Sequence, residues 1–239
     1  MSQGVSKEEL ARLAAGFEGA PPEEIIVAIA LRFSDQIALA CSFGAEDCVL
    51  VDVVARHGLP VEIFTLDTGF LFDETREVWR RLEERYHLKI VVAPSVLSPL
   101  DPAQPPPWET DPDACCHLRK VLPLQAMLAT KDAWVTGIRR DQTPDRAHAQ
   151  VIEWDGRFGL IKANPLAGWT SEDVAAYVRR HEVPTNALHE RGYLSVGCAP
   201  CTSPVRLGED PRAGRWRGRE KTECGLHADR APGSRARRT

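Results

Sequence analysis

Four of the seven cysteines group by spacing. Cys115 and Cys116 are adjacent in "DPDACCHLRK", and Cys198 and Cys201 form a C-x-x-C in "GCAPC". Structural zinc uses pairs of C-x₂₋₄-C arms, for which an adjacent pair is an unusual arm. A thioredoxin-like redox site needs a helix after its C-x-x-C, but "TSPVRLGEDPRAGR" is too rich in Pro, Gly and charge to supply one. An iron–sulfur cube needs four thiolates, and neighbouring cysteines at a helix start could ligate two irons of one cluster. Four plain buried thiols are the remaining option. Cys41 and Cys48 lie in apolar surroundings and read as core. Cys224, in the basic polar stretch "KTECGLH", has cations nearby to lower its pKa and His227 three residues on, which suits a nucleophile.

The elements that must position these groups follow from pattern. Ser6 and Glu9 form a capping box opening a helix near 7–16, and the pair Pro21-Pro22 starts another. "QIALACSF", "VEIFTLD", "KIVVAP" and "AWVTGI" read as strands, and "AEDCVLVDVVARHG" and "DETREVWRRLEERYH" as the helices between the first three. "VIEWDGRFGLIKA" reads as a hairpin turning at Asp155-Gly156, and Thr170 with Asp173 caps a helix running to about Glu182. Residues 95–113 read as a long proline-rich loop, and residues 115–129 as helix, started anew or kinked at Pro123. This alternation predicts an α/β fold with a doubly wound, mostly parallel sheet. Expected units are N-terminal helices over 1–34, a nucleotide-binding α/β domain over 35–203, and a mobile C-terminal segment over 204–239.

With 43% hydrophobic and 27% charged residues, the composition is that of a soluble globular protein, and no run of about 18 apolar residues predicts a membrane span. The start "MSQGVSKEEL" is unlike a signal or transit peptide, so a reducing cytoplasm is expected. A net charge of −4 speaks against nucleic acid as main partner. The charge is uneven: residues 204–239 carry nine Arg and one Lys against five acids.

"CC" followed by "RK", then "GCAPC" and "ECGLH", resembles the assimilatory adenylyl-sulfate (APS) reductases, relatives of the phosphoadenylyl-sulfate (PAPS) reductases. "SFGAED" at 42–47, "LDTGFLFDET" at 66–75, "TGIRRDQTPDRA" at 136–147, "NPLAGWTSEDV" at 164–174 and "RAGRW" at 212–216 extend the likeness over roughly 35–230. The resemblance implies an adenine-nucleotide alpha hydrolase-like fold and a [4Fe–4S] cluster on Cys115, Cys116, Cys198 and Cys201. It also implies an oxidoreductase of sulfate assimilation and cysteine biosynthesis. There the Cys224 thiolate attacks APS, AMP leaves, and thioredoxin or a glutaredoxin-like dithiol carrier releases sulfite. "RGRE" after "GRW" is closer to the PAPS-type tail, which keeps PAPS or dual use open.

On that reading the anionic substrate needs cations. Position nominates Lys120, one turn after Cys116; Arg139, Arg140 and Arg146, after a strand end; and Arg215 and Arg217 in the C-terminal segment. Ser42 and Gly44, at a strand-to-helix turn, offer backbone N–H groups to an anion. Asp67, Thr68 and Gly69 follow the next strand and would meet ribose or adenine, Gly137 belongs to the quoted 136–147 motif, and His227 would meet substrate or tune Cys224. Two rivals remain. A tRNA-modifying ATP pyrophosphatase would carry a Ser-Gly-Gly-x-Asp-Ser loop, from which "SFGAED" departs. A cluster-based redox sensor would not need Cys224. A homo-oligomer stays open.

Overall fold

In the computed structural model, which describes residues 6–95, 104–221 and 223–226, a six-stranded sheet runs through the molecule. The elements in order are α1 (Lys7–Phe17), α2 (Pro22–Phe33), β1 (Ile37–Ala40), α3 (Ala45–Arg56), β2 (Glu62–Thr65), α4 (Asp73–Tyr86), β3 (Val91–Val92), α5 (Pro107–Thr110), α6 (Pro112–Cys116), α7 (Leu122–Leu128), β4 (Ala133–Val135), β5 (Ile152–Asp155), β6 (Leu160–Ala163) and α8 (Ser171–His181). The strand order is β3-β2-β1-β4-β6-β5, parallel except for the β5–β6 pair. The chain moves outward from β1 to β3 and returns to place β4 on the other side of β1. The crevice beyond β1 and β4 is therefore the switch point at which such sheets bind ligands.

Both faces of the central strands are buried, and the period of two assigns each side chain to its face. Ile37 and Leu39 of β1, Ile63 of β2, and Ala133 and Val135 of β4 pack with α2 and α3. Ala38, Phe64 and Trp134 point the other way, onto Leu124 and Leu128 of α7. Cys41 and Cys48 are core, 3% and 0% exposed. Thr170 and Asp173 form the expected capping box on α8.

Three local expectations change. The hairpin turn spans residues 156–159, not Asp155-Gly156 alone. Gly159 supplies the positive φ of 74° and its N–H closes onto the Asp155 carbonyl at 2.8 Å. The stretch expected as loop to 113 contains α5 and the start of α6, which Asp111 caps by accepting from the Asp113 and Ala114 N–H groups. Between α6 and α7 the backbone stays helical but widens into a π-turn at His117–Val121, where the Leu122 N–H reaches back five residues to His117. Pro123 is the physical reason: it has no N–H to offer the preceding turn, and one wide turn lets the helix continue past it.

Candidate active site

The main cavity, about 750 Å³, opens at the switch point. Its floor is built by the turn from β1 into α3. Phe43 takes a left-handed φ of 64°, costly for a bulky residue, and is held there by burial and by stacking on Trp79 at 5.5 Å. The turn aims the Ser42 N–H and Oγ–H at one oxygen of Asp47, at 2.7 and 2.6 Å. Burial pushes the Asp47 carboxyl up to about 6, against the pull of those bonds. Gly137, after β4, lies so close that a Cβ there would stand 2.4 Å from the other Asp47 oxygen and 2.9 Å from Glu46 Cβ. Only glycine lets the β4 end approach the first turn of α3 this closely.

The expected cations divide. Arg139 is buried against Glu46 (3.0 Å) and Asp141 (2.8 Å) on the cavity wall. Arg146 lines the wall too, bonded to Gln142 at 2.5 Å and to Glu223 at 3.0 Å. Arg215 reaches across Gly197, where a Cβ would sit 2.3 Å from its Nη2, and donates to Ser195 Oγ and the Val196 carbonyl, both at 3.3 Å. Arg140 does not line the cavity; it grips Glu18 at 2.6 and 2.8 Å and the Ala149 carbonyl at 2.7 Å. Arg217 also lies apart from it, paired with Glu209 at 2.8 Å. Thr68 lines the cavity, whereas Asp67 is turned to the Gly69 N–H (2.9 Å) and to Arg76 (3.1 Å). His227 lies outside the described residues.

The four paired cysteines line one second, smaller cavity, walled by Phe70, Trp108 and Trp216. Cys115 and Cys116 end α6, and Cys198 and Cys201 bracket a 3-10 turn. Burial pushes the thiols of Cys115, Cys116 and Cys201 up, that of Cys116 to about 11. Lys120 and Cys198 line both cavities, so the two share a wall. All seven cysteines are free thiols. Among the described residues no three His, Cys, Asp or Glu side chains stand in a ready metal-ligating arrangement. The donor chemistry of this cavity, four sulfurs with Arg119 and Lys120 beside them and no carboxylate in the lining, nonetheless suits an anionic iron–sulfur cluster and not a hard cation.

Cys224 lines the main cavity. Burial works against its thiolate, but Lys120, the Leu226 backbone N–H and Arg215 outweigh that and hold its pKa below the ordinary thiol value. The chain after it is pinned: Arg157 donates to the Gly225 carbonyl, and Leu226 packs on the Phe64–Trp134 side of the core. Several cavity residues carried no sequence-level nomination, among them Asp47, Arg212, Glu223 and His189. The first three fall inside or beside quoted motifs. His189 had no signal, because only the fold brings the 185–197 segment to the cavity.

A sequence model described as the phosphoadenosine phosphosulfate reductase domain matches residues 36–204. The chain belongs to this family. The adenosine 5'-phosphosulfate reductase of Halalkalibacterium halodurans is 45% identical over 199 residues, covering 82% of this chain and 86% of that protein. The phosphoadenosine 5'-phosphosulfate reductase of Gloeobacter violaceus is 41% identical over 236 residues, covering 95% and 97%. Among solved structures, a PAPS reductase from Candida auris in a phosphate complex superposes with a TM-score of 0.76 at 26% identity, over 86% of this chain and all of that one. The family's fold is thus the doubly wound α/β sheet described above. No helix among the described residues is long and apolar enough to cross a membrane.

Proposed function

We propose that the protein reduces adenylyl sulfate to sulfite and AMP in sulfate assimilation. The observation that carries this reading is the Cys224 thiol in the switch-point cavity with Lys120 and Arg215 as cationic neighbours. The nucleotide lies across the β1 and β4 ends, with the first turn of α3 after Gly44 offering N–H groups to its anion. The Cys224 thiolate attacks the sulfate sulfur. The S–O bond to the phosphate breaks, AMP departs with that electron pair, and Cys224 becomes an S-sulfonate. Lys120 and Arg215 lower the repulsion between the thiolate and the sulfonyl group and hold the charge that collects as AMP leaves. A thiolate of a thioredoxin-type dithiol carrier then attacks Cys224 Sγ, and sulfite leaves with the sulfur–sulfur electron pair. The carrier's second thiol resolves the mixed disulfide, so the carrier is oxidised as sulfate sulfur is reduced.

Cys115, Cys116, Cys198 and Cys201 would hold the [4Fe–4S] cluster. When bound, it supplies a fixed charged body beside Lys120, an electrostatic contribution. Seven free thiols accord with a reducing cytoplasm. A second reading, use of PAPS, is favoured by the 41% identity to the Gloeobacter protein along nearly the whole chain. Sulfite release with thioredoxin, measured for each nucleotide, tests the assignment. The expected result is turnover of APS, abolished by Cys224→Ser. Turnover of PAPS alone would replace the substrate, and turnover retained by Cys224→Ser would remove the mechanism.

A further inference from the structure

Glu223, immediately before Cys224, has a side chain only 10% exposed, and its Oε2 accepts from Arg146 at 3.2 Å and from Arg212 at 3.0 Å. The three residues come from separate stretches. Arg146 ends the 3-10 turn Pro144–Arg146 after β4, Arg212 lies in the loop after the C-x-x-C turn, and Glu223 leads into the nucleophile. For anion chemistry this acid is in the wrong place. It raises the pKa of Cys224 and adds negative charge to a cavity that must take an anionic nucleotide. A buried acid kept beside a nucleophile at such a cost needs another task, and the contacts supply one. The far side of Cys224 is tied down by Arg157 on the Gly225 carbonyl and by Leu226 in the core. On the near side Lys221 pairs with Asp113 and Arg219 donates to the Glu109 carbonyl at 2.9 Å, and the tie next to the nucleophile itself is Glu223.

We infer that Glu223 is a positioning residue for Cys224: its carboxylate ties the stretch that carries the nucleophile to the body through Arg146 and to the preceding C-terminal loop through Arg212, so that the thiol faces the cavity. This rests on the role of Cys224 under the proposed function. Two charge-assisted bonds to one buried carboxylate are strong and directional. They fix the backbone one residue from the reacting sulfur, where an ångström of drift is costly.

The test uses the full-length protein with its iron, in single turnover with APS and no dithiol carrier. The rate of S-sulfonate formation on Cys224 is followed by mass spectrometry, and AMP affinity by calorimetry. Glu223→Gln is expected to slow sulfonation at saturating APS at least about tenfold, with AMP affinity within about twofold, and Glu223→Asp to recover part of the rate. Tighter AMP binding with an undiminished rate would overturn the inference and make Glu223 a competitor for the nucleotide's anion. Equal losses of AMP affinity and rate would also overturn it, leaving a merely structural acid. Should Glu223→Gln not fold, tryptic cleavage after Lys221 in Glu223→Asp gives the second reading: faster cleavage with a slowed rate supports the clamp, and unchanged cleavage and rate refute it. A wild-type protein that forms no adduct would instead end the proposed function, whatever the variants do.

Discussion

Thr68 Oγ1 lies 3.3 Å from Cys198 Sγ, so the loop after β2 is hydrogen-bonded to the first cysteine of the C-x-x-C turn. The Thr68 carbonyl also accepts from Arg119 at 3.0 Å, and Thr68 lines the main cavity. One residue thus joins the main cavity to the cysteine cavity. Thr68→Val keeps the shape and removes the hydroxyl, at a cost of about 1 kcal/mol. Under the proposed cluster assignment the expected result is severalfold faster iron loss to a chelator, with the melting temperature lowered by about 2–4 °C, read by absorbance and calorimetry.

The lowered pKa of Cys224 has a direct readout. The thiolate is the reactive form, and the surrounding cations stabilise it, so its fraction at a given pH exceeds that of an ordinary thiol. Alkylation of Cys224 should therefore fall off only at a pH below the usual thiol value. Lys120→Met, which removes the largest favourable charge, should move that inflection upward and slow alkylation near neutrality. Peptide-resolved labelling across pH measures both.

Gly137→Ala should be severe for its size. The added methyl would stand 2.4 Å from a buried Asp47 oxygen, and the alternative is to separate the β4 end from the α3 first turn. A loss of about 2 kcal/mol in unfolding free energy is expected, with much weaker AMP binding, from denaturant titration and calorimetry.

Away from the cavity, Asp52 is 1% exposed and accepts from the hydroxyls of Tyr86 (2.8 Å) and Tyr177 (2.6 Å). This carboxylate ties α3 to α4 and α8. Asp52→Ala removes the shared acceptor of two half-buried hydroxyls, so a loss of about 1–2 kcal/mol is expected with AMP affinity unchanged in the folded fraction. Denaturant titration against calorimetry separates the two.

The sheet was legible because its strands are short apolar runs between well-marked helices, and the periods of two and 3.6 carry that information. The cysteine sets were legible because their spacing is local. The arginines were less so. Arg139 and Arg140 are adjacent after the same strand end, yet one faces Glu46 in the cavity and the other faces Glu18 on the opposite side. Sequence proximity to a strand end does not say which way a side chain turns. Glu223 escaped notice because its meaning lies in Arg146, 77 residues away. The π-turn before Pro123 escaped because a proline signals a break and not how the helix absorbs it.

The most direct measurement is anaerobic intact-protein mass spectrometry after mixing with APS or with PAPS, without a dithiol carrier. A sulfonate adduct from APS that maps to Cys224 is the expected result. An adduct from PAPS alone would change the substrate and keep the chemistry. No adduct from either nucleotide, on protein with its iron intact, would contradict the account.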